Sequence, residues 1–168
     1  MFSATPEIIS DPVRIALVGC GRISLNHIKS IVKFSAQAKL VAFCDNKSER
    51  LENASKIFNE ACLESSDSLE SPAQYHSYES LIADIKSKKI EINLVVLTTP
   101  SGLHPKQAIL AANAGVHVCT EKPMATRWSD GLEMVKACDN AGVYLFVVKQ
   151  NRFNSTLQLV KKQISNLV

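Results

Sequence analysis

Residues 13 to 24, VRIALVGCGRIS, leave a chain of this kind few folds. The apolar run Ile15 to Val18 breaks on Gly19-Cys20-Gly21. It then opens into a segment whose apolar residues, Leu25, Ile28, Ile31 and Val32, recur at helical spacing. The pattern predicts strand, tight turn and helix. Gly19 permits the turn, and Gly21 lets the backbone approach a pyrophosphate resting on the free N–H groups of the new helix. Ser24 stands where a third glycine is usual and is small enough to keep helix and strand close. The same pattern also fits an ordinary strand-to-helix turn with no ligand.

The next strand favours a nucleotide. Ala38 to Cys44, AKLVAFC, is apolar and ends on Asp45. That lies about twenty residues past the glycines, where a dinucleotide fold puts the carboxylate for the ribose hydroxyls. Asp45 also fits a turn or cap aspartate at a strand end. Asn46 follows it rather than an arginine, so a 2′-phosphate would meet a carboxylate with no adjacent cation. This favours NAD over NADP, although Lys47 and Arg50 are near.

Composition narrows the class. A chain of 168 residues is one domain by size, and a domain of this length buries roughly 68–70% of its unfolded surface. The hydrophobic fraction of 46% and charged fraction of 21% are those of a globular protein. Net charge is +3, and the one basic group, Lys86, Lys88 and Lys89, reads as a solvated helix end, so nucleic acid is not the expected partner. Cys20, Cys44, Cys62, Cys119 and Cys138 form no CxxC pair and read as small core residues in a reducing, cytoplasmic setting, without metal or disulfide. Residues 1–12 read as a lead-in without the apolar core of a signal peptide. No apolar run approaches the ~20 residues of a membrane span.

Leu51, Ala54, Phe58, Ala61 and Cys62 mark a second helix, and Glu64 to Pro72 reads as a surface loop. Tyr75 to Tyr78 is a short third strand, followed by a helix with Leu81, Ile82 and Ile85. Ile92 to Leu97 is a continuous apolar strand leading into Thr98-Thr99-Pro100-Ser101-Gly102 and His104. A helix fits between Pro105 and Gly115. Val116 to Thr120 is a fifth strand with Glu121-Lys122-Pro123 after it. Thr126 fits the cap of a helix carrying Leu132, Val135, Cys138 and Ala141, and Gly142 ends it. Val143 to Val148 is a sixth strand, followed by Gln150-Asn151-Arg152 and a last helix with Leu157, Val160 and Ile164. The alternation predicts an α/β fold: a doubly wound parallel sheet in three layers. The loops after strands one, two, four, five and six meet on its carboxyl edge, where ligands bind in such sheets.

GCGRIS at 19–24, the strand-end Asp45, TPSGLH at 99–104 and AANAGVHVCTEKPMA at 111–125 resemble the Gfo/Idh/MocA family of nicotinamide-dependent sugar dehydrogenases. With QNRFN at 150–154, the chain looks most like the branch oxidising the 3-hydroxyl of UDP-linked N-acetylhexosamine uronates for surface polysaccharides. The resemblance implies a Rossmann-type domain over residues 13–168. It implies that Gly19, Gly21, Arg22 and Ile23 wrap the pyrophosphate and Asp45 holds the adenosine ribose. Thr99, Pro100 and His104 would line the nicotinamide ribose side, and Glu121 would contact that ribose. Lys122 would be the catalytic residue, beside the nicotinamide and the sugar carbon, with the peptide bond before Pro123 often cis in the family. Asn151 and Arg152 would face the substrate. Lys122 also fits a solvated turn lysine, His104 a helix-start residue with no ligand, and Arg152 a surface cation.

Family members run to roughly twice this length, since domains beyond about 250 residues usually divide. The resemblance assigns to a second domain an Asp-x-x-x-His acid–base pair, most of the sugar pocket and the oligomer interface. The expectation is therefore a nucleotide-binding half with little or no activity alone. Alternatives are a small enzyme completed by dimerisation, a non-catalytic nucleotide sensor, and another polyol dehydrogenase such as an inositol dehydrogenase.

Overall fold

The computed structural model describes residues 12–65 and 69–164. The lead-in before Pro12, residues 66–68 of the acidic loop and residues 165–168 of the final segment lie outside the described residues. Strands β1 (Val13–Val18), β2 (Ala38–Cys44), β3 (Ala73–Tyr75), β4 (Leu94–Leu97), β5 (His117–Thr120) and β6 (Leu145–Val147) carry the sheet. Between and after them run α1 (Ser24–Lys33), α2 (Ser48–Ser65), α3 (Tyr78–Lys86), α4 (His104–Ala112), α5 (Trp128–Ala141) and α6 (Ser155–Ile164). All strand pairs are parallel, in the order β3-β2-β1-β4-β5-β6. The winding direction reverses between β1 and β4, so a ligand crevice belongs above that gap.

The continuous apolar runs are explained by burial on both faces. Neighbouring residues of β1 point oppositely: Ala16 and Val18 join a core with Leu81, Ala108 and Met134 of α3, α4 and α5. Ile15 and Leu17 join a second core with Ile28, Val32, Leu51 and Phe58 of α1 and α2. In that second core Phe43 meets Phe58 edge to face, with ring centroids 6.2 Å apart.

Three expectations are corrected. The third strand lies earlier than Tyr75 to Tyr78, because Ser77 caps α3 through an Oγ that accepts the Ser80 N–H. Tyr78 is thereby a buried helical residue in line with Leu81, Ile82 and Ile85. In α5 the buried stripe is Gly131, Met134 and Cys138, while Leu132 and Val135 are exposed. A strict three-residue spacing drifts around a helix of 3.6 residues per turn, and alternating threes and fours stay on one side. Thr126 does not cap that helix; its N-cap is Arg127, with no side-chain cap bond, and Gly142 at φ +65° closes it as expected. In α6 none of the described residues is buried, and Leu157, Val160 and Ile164 face outward.

Candidate functional site

The site loops are extensions of the parallel ladder. One further backbone rung follows each of β1, β2, β4 and β5: Gly19 N–H to Cys44 O at 2.7 Å, Asp45 to Tyr75 O at 3.1 Å, Thr98 to Val18 O at 2.8 Å, and Glu121 to Leu97 O at 2.9 Å. Gly19, Asp45 and Glu121 are thus held at fixed heights above the sheet, and Thr98 fixes the start of the loop that carries Thr99.

Gly19 sits at φ +91°, and a Cβ there would meet Thr99 N at 2.7 Å. Only glycine fits between the first turn and the Thr98-Thr99 loop, which closes on it through the Thr98 hydroxyl, a donor to the Val18 and Gly19 carbonyls. Gly21 differs: a Cβ would meet nothing within 4 Å. It borders an open crevice, and among the described residues the N–H groups of Gly21, Arg22 and Ile23 have no acceptor. Ser24 is fully buried at the start of α1, its hydroxyl donating to Gly21 O.

A crevice of about 520 Å³ lies on one side of the turn, lined by Gly19, Gly21, Asp45, Asn46, Arg50, Thr99 and Pro100. Its outer wall is His76, Ser77 and Tyr78 at the start of α3. Asp45 is buried; Oδ2 accepts the Cys20 N–H at 2.8 Å and Oδ1 the Lys47 N–H at 2.9 Å. The guanidinium of Arg50 stands 3.6 Å from Oδ2. Beside it, burial first and the Asp45 charge second push the Cys20 and Cys44 thiols up to about 12, so neither is a nucleophile at neutral pH.

A second crevice, of about 700 Å³, opens on the other side, lined by Arg22, Ile23, Glu121, Lys122 and Gln150. Thr98 and Thr99 border both, so the two form one trough across the switch point. Glu121 is buried, while Lys122 is exposed and pairs with no carboxylate among the described residues. The Lys122-Pro123 bond is cis. Glu121 is met by a residue the sequence reading missed: His27 of α1, whose Nε2 lies 2.9 Å from Oε1.

The expected residues do not all line the trough. Pro100 lies on the Asp45 side rather than beside Lys122. His104 lines neither crevice; it is 1% exposed, with Nε2 2.8 Å from Thr99 O and Nδ1 3.1 Å from Pro123 O. It ties the two loops together, the role open to a helix-start residue without a ligand. Asn151 and Arg152 lie in an exposed 3-10 turn outside both crevices, and their neighbour Gln150 lines the second. The sequence marks Arg50 only as a cation near Asp45, Gln150 only as the start of QNRFN and Tyr75 to Tyr78 only as a strand, and assigns none of them to the site. The Ser77 cap with Glu79 in the first turn of α3 was the signal available for that wall.

A switch-point trough with a ribose-height carboxylate at one end and a glutamate–lysine pair at the other defines a dinucleotide-binding α/β domain. The sequence matches the oxidoreductase family with an NAD-binding Rossmann fold over residues 13–149, and the chain belongs to that family. It is 32% identical to D-apiose dehydrogenase of Paraburkholderia graminis over 149 residues, 89% of this chain and 35% of that protein. The WlbA dehydrogenase of Bordetella pertussis, solved with NADH and UDP-GlcNAcA, is 49% identical, with a TM-score of 0.78 over 92% of this chain and 42% of that one. WlbA from Chromobacterium violaceum, solved with the same two ligands, is 43% identical, with a TM-score of 0.81 over 99% of this chain and 43% of that one. The chain spans about two fifths of the length of these proteins. Among the described residues no helix is long and apolar enough to cross a membrane.

Proposed function

We propose that the chain is the cofactor-holding part of an NAD-dependent dehydrogenase that oxidises the 3-hydroxyl of a UDP-N-acetylhexosaminuronate. The observation that carries this reading is the single trough with Asp45 at one end and Lys122 at the other, joined by Thr98 and Thr99. The likeness to two dehydrogenases solved with NADH and UDP-GlcNAcA supports the substrate class.

The residues fit the cofactor at three points. Asp45, already fixed by two N–H donors, keeps lone pairs for the ribose hydroxyls. The unpaired N–H groups of Gly21, Arg22 and Ile23 suit a pyrophosphate at the start of α1. Glu121 and Thr99 would hold the second ribose, and the bound nicotinamide supplies the hydride acceptor. Lys122, unpaired and facing the same crevice, would polarise the sugar hydroxyl or relay its proton. Gln150 would meet the substrate before Asn151 or Arg152 does, since it alone of the three lines the crevice. His104 would act on the site by holding the Thr99 and Pro123 loops rather than by touching the cofactor.

The test is a titration of the NADH-loaded protein with UDP-GlcNAcA, followed by nicotinamide fluorescence, with myo-inositol in parallel. The expected result is a saturable change with the nucleotide sugar, absent in Lys122→Ala and absent with inositol. A response to inositol alone would move the substrate to the polyols. No response to either would leave a nucleotide-binding module.

A further inference from the structure

We infer that His27 is a positioning residue for the nicotinamide end of the trough, acting through Glu121. The inference rests on the cofactor reading above and adds a residue to it.

Glu121 is a buried carboxylate, and His27 is the sole side chain that hydrogen-bonds it among the described residues. Its other oxygen receives the backbone N–H of Lys122 at a longer 3.2 Å. A carboxylate oxygen accepts, so the ring nitrogen facing it, Nε2, is the donor in this bond. His27 itself lines neither crevice. It reaches Glu121 from the first turn of α1, the helix whose N-terminal loop carries Gly21, Arg22 and Ile23. One hydrogen bond therefore joins the element that would seat the pyrophosphate to the loop that carries Lys122, 94 residues away in sequence. A buried carboxylate deprived of its donor turns toward water or another partner, because leaving it unsatisfied is costly. Glu121 would then leave the position from which it can meet the second ribose. At the adenosine end Asp45 is held by backbone N–H groups, and among the described residues His27 neither lines that crevice nor hydrogen-bonds a residue of it.

The experiment compares two ligands on the native protein and on His27→Ala, His27→Gln, Glu121→Ala and the double variant His27→Ala/Glu121→Ala. NADH spans the whole trough; ADP occupies only the adenosine and pyrophosphate part. NADH is followed by fluorescence, ADP by calorimetry, and folding by far-ultraviolet circular dichroism. His27→Ala is expected to weaken NADH about tenfold, the scale of one hydrogen bond to a charged group, and to leave ADP unchanged. His27→Gln, which keeps an N–H donor, is expected to recover most of the loss. In the Glu121→Ala background, removing His27 is expected to cost nothing more. Equal losses for NADH and ADP, no loss in His27→Ala, or additive losses in the double variant would each overturn the inference while leaving the cofactor reading intact. A native protein that binds neither ligand would overturn that reading, and the inference with it.

Discussion

The two ends of the trough are built from different materials. At the Asp45 end the key carboxylate is buried and held by backbone N–H groups at 2.8 and 2.9 Å, with the first turn, the Thr98-Thr99 loop and the start of α3 as walls. At the Lys122 end the fixing is done by side chains, His27 on Glu121 and His104 on Pro123. There the lysine, Arg22 and Gln150 remain exposed. Backbone donors are set by the fold and respond little to substitution; side-chain clips are removed by one mutation. The contrast fits the division of labour proposed above, in which the Asp45 end would serve any dinucleotide and the Lys122 end the particular reaction.

The contrast can be broken or sharpened by substitution. Gly19→Ala should have the largest effect, because φ of +91° and a Cβ at 2.7 Å from Thr99 N strain the junction of both halves. A loss of about 3 kcal/mol or more is expected, lowering Tm by roughly 10 °C in a thermal melt. A wild-type Tm would mean that the Thr98-Thr99 loop is not packed on this turn. On α5, Met134→Ala should cost about 2–4 kcal/mol, whereas Val135→Ala, next in sequence but 38% exposed, should cost less than about 0.5 kcal/mol. Chemical denaturation of the pair reads the orientation of α5; equal losses would restore the stripe expected from sequence. Gly21→Ala meets open space, so its stability should stay within about 1 kcal/mol of native, while NADH affinity falls about tenfold as the methyl group enters the pyrophosphate seat.

A further expected effect is alkaline. Cys20 and Cys44 flank the Asp45 end with thiols raised from 9.0 to about 12 by burial. A raised folded-state pKa favours the neutral thiol, so its contribution to stability is complete below the unfolded value and is lost as pH climbs from about 9 to about 12. Denaturation midpoints should hold up to pH 9 and decline above it. Alkylation at pH 8 should stay slow until the protein unfolds.

Much of the fold was legible because its signals are local. The glycine turn, the strand ending on Asp45 and the Pro105 helix each follow from neighbours within a few residues, and the sheet follows from their alternation. Gly19, Gly21 and Asp45 were legible for the same reason, as spacing along one β-α-β unit. His27, Arg50 and Gln150 were not, since what makes them matter is a partner brought near by folding. His27 in sequence is one polar residue in an amphipathic helix; only the parallel ladder puts Glu121 within 2.9 Å of it. His104 carried a family expectation of ligand contact, yet the packing of α4 turns it into the protein, against the Thr99 and Pro123 carbonyls.

The most direct test of the account is calorimetric titration of the protein with NAD and with NADP, repeated on Asp45→Ala. The account predicts that NAD binds more tightly than NADP and that Asp45→Ala weakens NAD tenfold or more, the scale of losing hydrogen bonds to a charged acceptor. Unchanged NAD affinity in Asp45→Ala, or tighter binding of NADP by the native protein, would contradict it.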